Sequence, residues 1–125
     1  MSDLTWKYVK PLRFDNVVSD FLRLHNISLP DPLLACITKN NGGRPSEKLF
    51  NTDQGKEYVF KTLLSYNEED LECIYRFFPT LFDGTSLYPI GIDSSGNFVC
   101  FDTSNGNYIL LNHETGVREL ISLHI

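Results

Sequence analysis

The feature that most constrains this chain lies in its last third, where four β-type runs follow one another at a spacing of about ten residues. They are 87–92, 97–103, 107–112 and 117–123, and between them lie Ser94-Ser95-Gly96-Asn97, Ser104-Asn105-Gly106-Asn107 and His113-Glu114-Thr115-Gly116. Apolar, β-branched and aromatic residues separated by short Gly-bearing turns describe strands joined as hairpins, so the spacing predicts an antiparallel meander.

Upstream the apolar period changes. Phe14, Val17, Val18 and Phe21 recur at helical spacing, with Asp15 or Asn16 as a cap, His25 near the negative pole and Asn26 as a left-handed exit. A second helix is expected after an Asp31 cap, with Pro32 at its first position, Leu33, Leu34 and Ile37 as its stripe, Lys39 in its last turn and Asn40-Asn41-Gly42-Gly43 as its stop. Leu49-Phe50 and Tyr58-Val59-Phe60 flank the turn-rich Asn51–Gly55 and read as a loose β pair. A third helix is expected from an Asn67 cap, with Glu68, Glu69 and Asp70 in its first turn, Leu71, Ile74, Tyr75 and Phe78 on one face, and Pro79 closing it. Helices early and strands late give an α+β fold, N-terminal helices packed on a mostly antiparallel sheet that ends in the meander. At 125 residues, 1–125 reads as a single domain.

Function classes narrow by exclusion. No apolar run approaches the roughly 20 residues that cross a bilayer, and the first residues lack a signal peptide's basic and apolar regions, so a cytoplasmic location is expected. Cys36, Cys73 and Cys100 form no CxxC pair and sit among apolar neighbours, which reads as buried small hydrophobes in a reducing compartment. Sixteen acids against eleven bases leave a net charge of −5 and no visible Lys/Arg cluster. Such a surface repels phosphate backbones and anionic membranes, so a basic protein is the better partner. Monomer or weak dimer is the expected state.

Catalytic signatures are missing. Histidines occur only at 25, 113 and 124, no GxSxG elbow marks a serine, and Asn41-Gly42-Gly43-Arg44-Pro45 follows a helix where a phosphate cradle would open one. Asp93, Asp102, His113 and Glu114 fall at strand ends, where an oxygen-rich rim with one imidazole could hold a divalent metal. The same residues are ordinary turn formers, and no metal or cofactor is assigned. The acidic run Glu68-Glu69-Asp70 with Glu72 exceeds what a helix start requires, since Glu68 and Glu72 repel at i, i+4. Glu68, Glu69, Asp70 and Glu72, then Asp93 and Asp102, are the candidate partner-binding residues, a patch that steers a basic partner.

The order of these landmarks resembles the SUKH superfamily, the Smi/Knr-like group. The likeness rests on Trp6-Lys7-Tyr8-Val9-Lys10-Pro11-Leu12, the amphipathic helix, Ile27-Ser28-Leu29-Pro30, the short helix and Asn40–Gly43. It continues through 64–70, Leu87–Asp93, Gly96-Asn97, Cys100-Phe101-Asp102 and His113-Glu114. The resemblance implies a non-catalytic α+β domain. Bacterial members look like immunity proteins that neutralise cognate toxins, many of them nucleases; fungal members look like regulatory or scaffolding modules. It makes Trp6 a core plug, Leu29-Pro30 a helix entry, Gly42-Gly43 a tight exit and Gly96-Asn97 a hairpin turn. Members usually continue past the last strand into a further helix. Here the residues end at Leu123-His124-Ile125, so the resemblance implies an open edge on the sheet's last flank.

Overall fold

In the computed structural model, which describes residues 5–47, 49–78 and 80–123, the meander is the backbone of the architecture. Strands β3 (Leu49–Asn51), β4 (Glu57–Leu63), β5 (Leu87–Asp93), β6 (Phe98–Asp102), β7 (Tyr108–Leu111) and β8 (Arg118–Ile121) form one antiparallel sheet in chain order. The two-residue strands β1 (Trp6–Lys7) and β2 (Arg44–Pro45) pair separately. Helices α1 (Val17–Leu24) and α2 (Asp31–Lys39) precede the sheet, so the fold is α+β as the pattern predicts. The hairpin between β5 and β6 turns at Gly96, whose φ of +84° is the left-handed conformation the Ser-Ser-Gly-Asn turn requires.

Every residue of β5 and β6 is buried, so both faces of the central hairpin are covered. Val18, Phe21 and Leu22 of α1 and Leu33 and Ile37 of α2 enter the same core as Phe60, Tyr88, Val99 and Phe101. The segment before β5 adds a ring of aromatics: Phe77 and Phe82 stand edge-on to Phe98 at 5.0 and 5.2 Å, and Phe78 meets Tyr88. Pro89 sits in a central strand, where its missing N–H would break a ladder; the register shift between Pro89 and Gly91 accommodates it. Trp6 is partly buried, edge-on to Phe60, and packs against the core as expected of a plug.

The last strand is covered at its C-terminal end. Thr52, just past β3, bridges Ile121, and the Asp53 amide donates to the Leu120 carbonyl at 2.8 Å. The chain just past β3 thus meets the Leu120–Ile121 end of β8, which narrows the open flank that the resemblance implied.

Three local expectations differ from the structure. Helix α1 starts at Val17, so Phe14 falls before it and stands 66% exposed. Asn16 occupies the cap position, yet its side chain donates to Asp20 at 2.9 Å and bonds no amide. Helix α2 starts at Asp31, with Pro30 as the cap, so Asp31 meets the helix dipole from inside the first turn. The third helix does not form. Only one 3₁₀ turn, Ile74–Arg76, appears there, and Leu71 lies 73% exposed. Its proposed cap, Asn67, is drawn elsewhere, accepting from the Arg13 amide at 3.1 Å and donating to the Pro11 carbonyl at 2.9 Å. A parallel bridge from Ser65 to Cys73 then folds residues 67–72 into a loop, through Ser65 N to Glu72 O at 2.9 Å and Ile74 N to Ser65 O at 2.8 Å. Pro79 lies outside the described residues.

Candidate functional site

The acidic loop is held by a buried polar hub. Asn41, fully buried at the exit of α2, donates through Nδ2 to the Lys10 carbonyl at 2.8 Å and to Ser65 Oγ at 3.0 Å, and its Oδ1 accepts from the Tyr66 amide at 2.8 Å. Both Nδ2 protons and the Oδ1 atom are directed to two chain segments, the stretch before α1 and the start of the loop. Ser65 passes the order on: its hydroxyl donates to Asp70 Oδ2 at 2.5 Å and accepts from the Asn67 amide at 3.0 Å. Below the hub, the hydroxyls of Tyr66 and Tyr88 bond each other in the core, where burial raises both phenols above their ordinary range.

Against this frame lies an open cleft of about 580 Å³, its walls formed by Arg13, Phe14, Val17, Tyr75, Glu68 and Glu69. Phe14 and Tyr75 present ring surface to solvent, and Tyr75 is fixed by donating to the Tyr66 carbonyl at 3.0 Å. Glu69 pairs with Arg13 at 2.6 Å on the surface, and that hydrogen bond holds its carboxyl below the usual range. Burial raises the Tyr75 phenol, and the nearby charge of Glu68 raises it further. The cleft thus combines exposed aromatic surface with the Glu68 carboxylate and the exposed Glu69–Arg13 pair, a composition suited to seating a cationic side chain beside an apolar one.

The other predicted residues take separate places. Asp70 braces the loop through Ser65, and Glu72 pairs with Lys61 of β4 at 2.7 Å. Asp93 is buried and accepts from the Ser95 and Asn97 amides at 2.9 and 2.8 Å and from Asn97 Nδ2 at 3.1 Å. Asp102 does the same in the next turn, bonding the Ser104 amide at 2.9 Å and hydroxyl at 2.7 Å, which holds its carboxyl below the usual range. His113 reaches Asp93 only through Asn97, whose Oδ1 lies 2.8 Å from His113 Nδ1. Among the described residues no three His, Cys, Asp or Glu side chains come together as a metal site. His25 packs between Phe21 and Phe78, and His124 lies outside the described residues.

Sequence reading missed two things here. The exposed aromatics of the cleft were placed on core faces of helices. It also saw no basic cluster, whereas the β1–β2 pairing brings Lys7 opposite Arg44, beside Lys10, across a long stretch of chain.

Residues 15–122 match the SMI1 / KNR4 family (SUKH-1). The chain belongs to this family. No curated protein and no solved structure gives a match. The family region runs from the start of α1 through β8, so it contains the hub and the acidic loop, while β1 and the chain up to Phe14 precede it. Among the described residues no helix is long and apolar enough to cross a membrane.

Proposed function

We propose that this SUKH-1 chain is a non-catalytic binding domain of the immunity type, which neutralises a cognate bacterial toxin by docking a basic surface of it, the nuclease class being the toxin chemistry that fits best. The observation that carries this reading is the cleft in which Glu68 and Glu69 stand among the exposed rings of Phe14 and Tyr75. Carboxylates steer a basic partner toward the site and raise its association rate, while the desolvated aromatic surface supplies residence time. A toxin that grips phosphate offers the required basic face. In this reading Glu68 and Glu69 meet the partner directly and Glu72 adds to the field. Asp70, Asp93 and Asp102 contribute charge from positions where they also brace the loop and hairpins. The reading carries no cofactor, no membrane and no direct nucleic-acid contact.

The test is co-expression of the chain with the product of the reading frame beside its own, followed by kinetics on the purified pair. Reversal to Glu68→Lys/Glu69→Lys is expected to slow association about tenfold or more at low salt and to flatten its salt dependence. An unchanged association rate removes these residues from the interface, and an adjacent product that neither binds nor is inhibited removes the immunity reading.

A further inference from the structure

A second open cleft of about 560 Å³, sharing no residue with the acidic one, is walled by Lys7, Tyr8, Lys10, Arg44 and Ser46. Its charge is opposite to that of the molecule. None of its three cations has an ion-pair partner among the described residues, so their charge is not offset locally. The cations are nonetheless positioned. Lys7 lies opposite Arg44 in the β1–β2 pair, and Lys10 is fixed by its amide donating to the Asn41 carbonyl at 2.7 Å. The Lys10 stem lies over Gly42 so closely that a Cβ there would stand 3.2 Å from its Cδ.

Tyr8 supplies the second observation. It is 76% exposed and has a φ of +57°, a left-handed conformation that costs a tyrosine stability and that no core packing of its ring offsets. Strain held at an exposed aromatic is the kind of outlier that accompanies a binding surface.

We infer that the cleft of Lys7, Tyr8, Lys10 and Arg44 is a second docking surface, one that takes a short acidic segment of a protein partner. Charge complementarity selects the anion, and the surroundings select its form. DNA or an anionic membrane spreads charge over an area larger than the cleft and meets the repulsion of a chain with a net charge of −5. A small phosphate compound needs a site that encloses most of its surface, and this cleft is open. An extended acidic peptide lying across β1 gathers all three cations and packs on the Tyr8 ring. Lys7, Tyr8 and Lys10 precede the matched residues 15–122 and Arg44 and Ser46 lie within them, so the surface joins the N-terminal segment to the exit of α2. It stands independently of the acidic cleft.

Panning a phage-displayed library of random dodecapeptides over the full chain at 0.1 M salt tests the inference. An Asp/Glu-rich group of binders is expected. The synthetic form of its best member should bind about tenfold or more weakly to Lys7→Gln/Arg44→Gln and to Tyr8→Gly, and equally well to Glu68→Gln/Glu69→Gln. Tyr8→Gly should melt no lower than the parent, because glycine adopts the left-handed conformation freely. A Lys/Arg-rich group, lost in Glu68→Gln/Glu69→Gln, reports on the acidic cleft alone, so the two readings fail separately. The inference is overturned if no acidic group emerges, if its binding survives Lys7→Gln/Arg44→Gln, or if pyrophosphate or phosphatidylserine vesicles displace the peptide at concentrations below its own Kd.

Discussion

Replacing Asn41 by alanine tests the polar hub on which the acidic loop depends. The side chain is fully buried and makes three hydrogen bonds to groups far apart in sequence, the Lys10 carbonyl, Ser65 Oγ and the Tyr66 amide. Its two donated bonds contribute about 1 kcal/mol each in net terms. The Tyr66 amide, left without an acceptor inside the fold, adds a penalty of about 1–3 kcal/mol. The expected loss is therefore about 3–5 kcal/mol, which for a chain of 125 residues lowers the melting temperature by about 10–20 °C. Urea unfolding at constant m-value measures it, and hydrogen exchange should show the Tyr66 amide losing protection ahead of the β5–β6 amides. Asn41→Asp keeps the acceptor for Tyr66 but loses both donors and buries a charge, so it should be at least as destabilising at neutral pH. A loss below about 1.5 kcal/mol for Asn41→Ala, with the Tyr66 amide still protected, would refute the reasoning, because it would mean that water replaces the side chain without disturbing the loop.

Other perturbations reach the sheet, the turns and the thiols. Gly91→Ala should destabilise by about 1–3 kcal/mol in urea unfolding, since a Cβ there would lie 2.8 Å from both the Phe60 ring and the Thr62 carbonyl; an unchanged midpoint would show that the bulge relaxes freely. Asp102→Asn keeps an acceptor for the Ser104 amide while it removes the charge and turns the second acceptor oxygen into a donor. Because the folded carboxyl titrates below its unfolded value of about 3.9, its contribution is present above that pH and lost as pH falls through the folded value. The variant should thus be destabilised at pH 7 by an amount that shrinks as pH falls below the unfolded value, and a deficit that does not change with pH would exclude a charge effect. Alkylation of the native chain followed by mass spectrometry should modify at most Cys36, slowly, because burial raises its thiol, and reach Cys73 and Cys100 only on unfolding; rapid native labelling of Cys100 would contradict its burial.

The meander was legible because its signals are local and agree: β-type runs, turn chemistry and spacing all name the same hairpins, and the glycine at 96 sits where its conformation is required. The third helix failed for the opposite reason. Asn67, the three acids and the apolar positions at 71, 74, 75 and 78 satisfy every local rule for a helix, but Asn67 is worth more to the fold as a bond to Pro11 and Arg13, and Ser65 draws Cys73 into a bridge. Those partners lie more than fifty residues away or on a strand pairing that periodicity does not register. The basic cleft was hidden in the same way, since Lys7 and Arg44 become neighbours only when β1 meets β2. Phe14 kept the helical period with Val17 and Phe21, yet the helix starts after it, so a residue counted toward the core became cleft surface.

The loop's departure from helix changes what sets the acidic residues in place. In a first helical turn, Glu68, Glu69 and Asp70 would be held by the dipole, and their geometry would follow the helix axis. Here Asp70 is tied to Ser65 and Glu69 to Arg13, while the start of the loop is held by the Tyr66 amide on Asn41 and by Asn67 on the Pro11 carbonyl, so tertiary side-chain bonds and not a helix axis fix where these charges stand. Steering depends on the presence of charge, whereas residence depends on the shape of the cleft that the hub maintains. Charge reversal at Glu68 and Glu69 should therefore act on the association rate and its salt dependence. Ser65→Ala, which removes the brace on Asp70 without changing net charge, should leave association within about twofold and speed dissociation about tenfold. Measured on one partner at two salt concentrations, the reverse pattern would place the partner away from this loop.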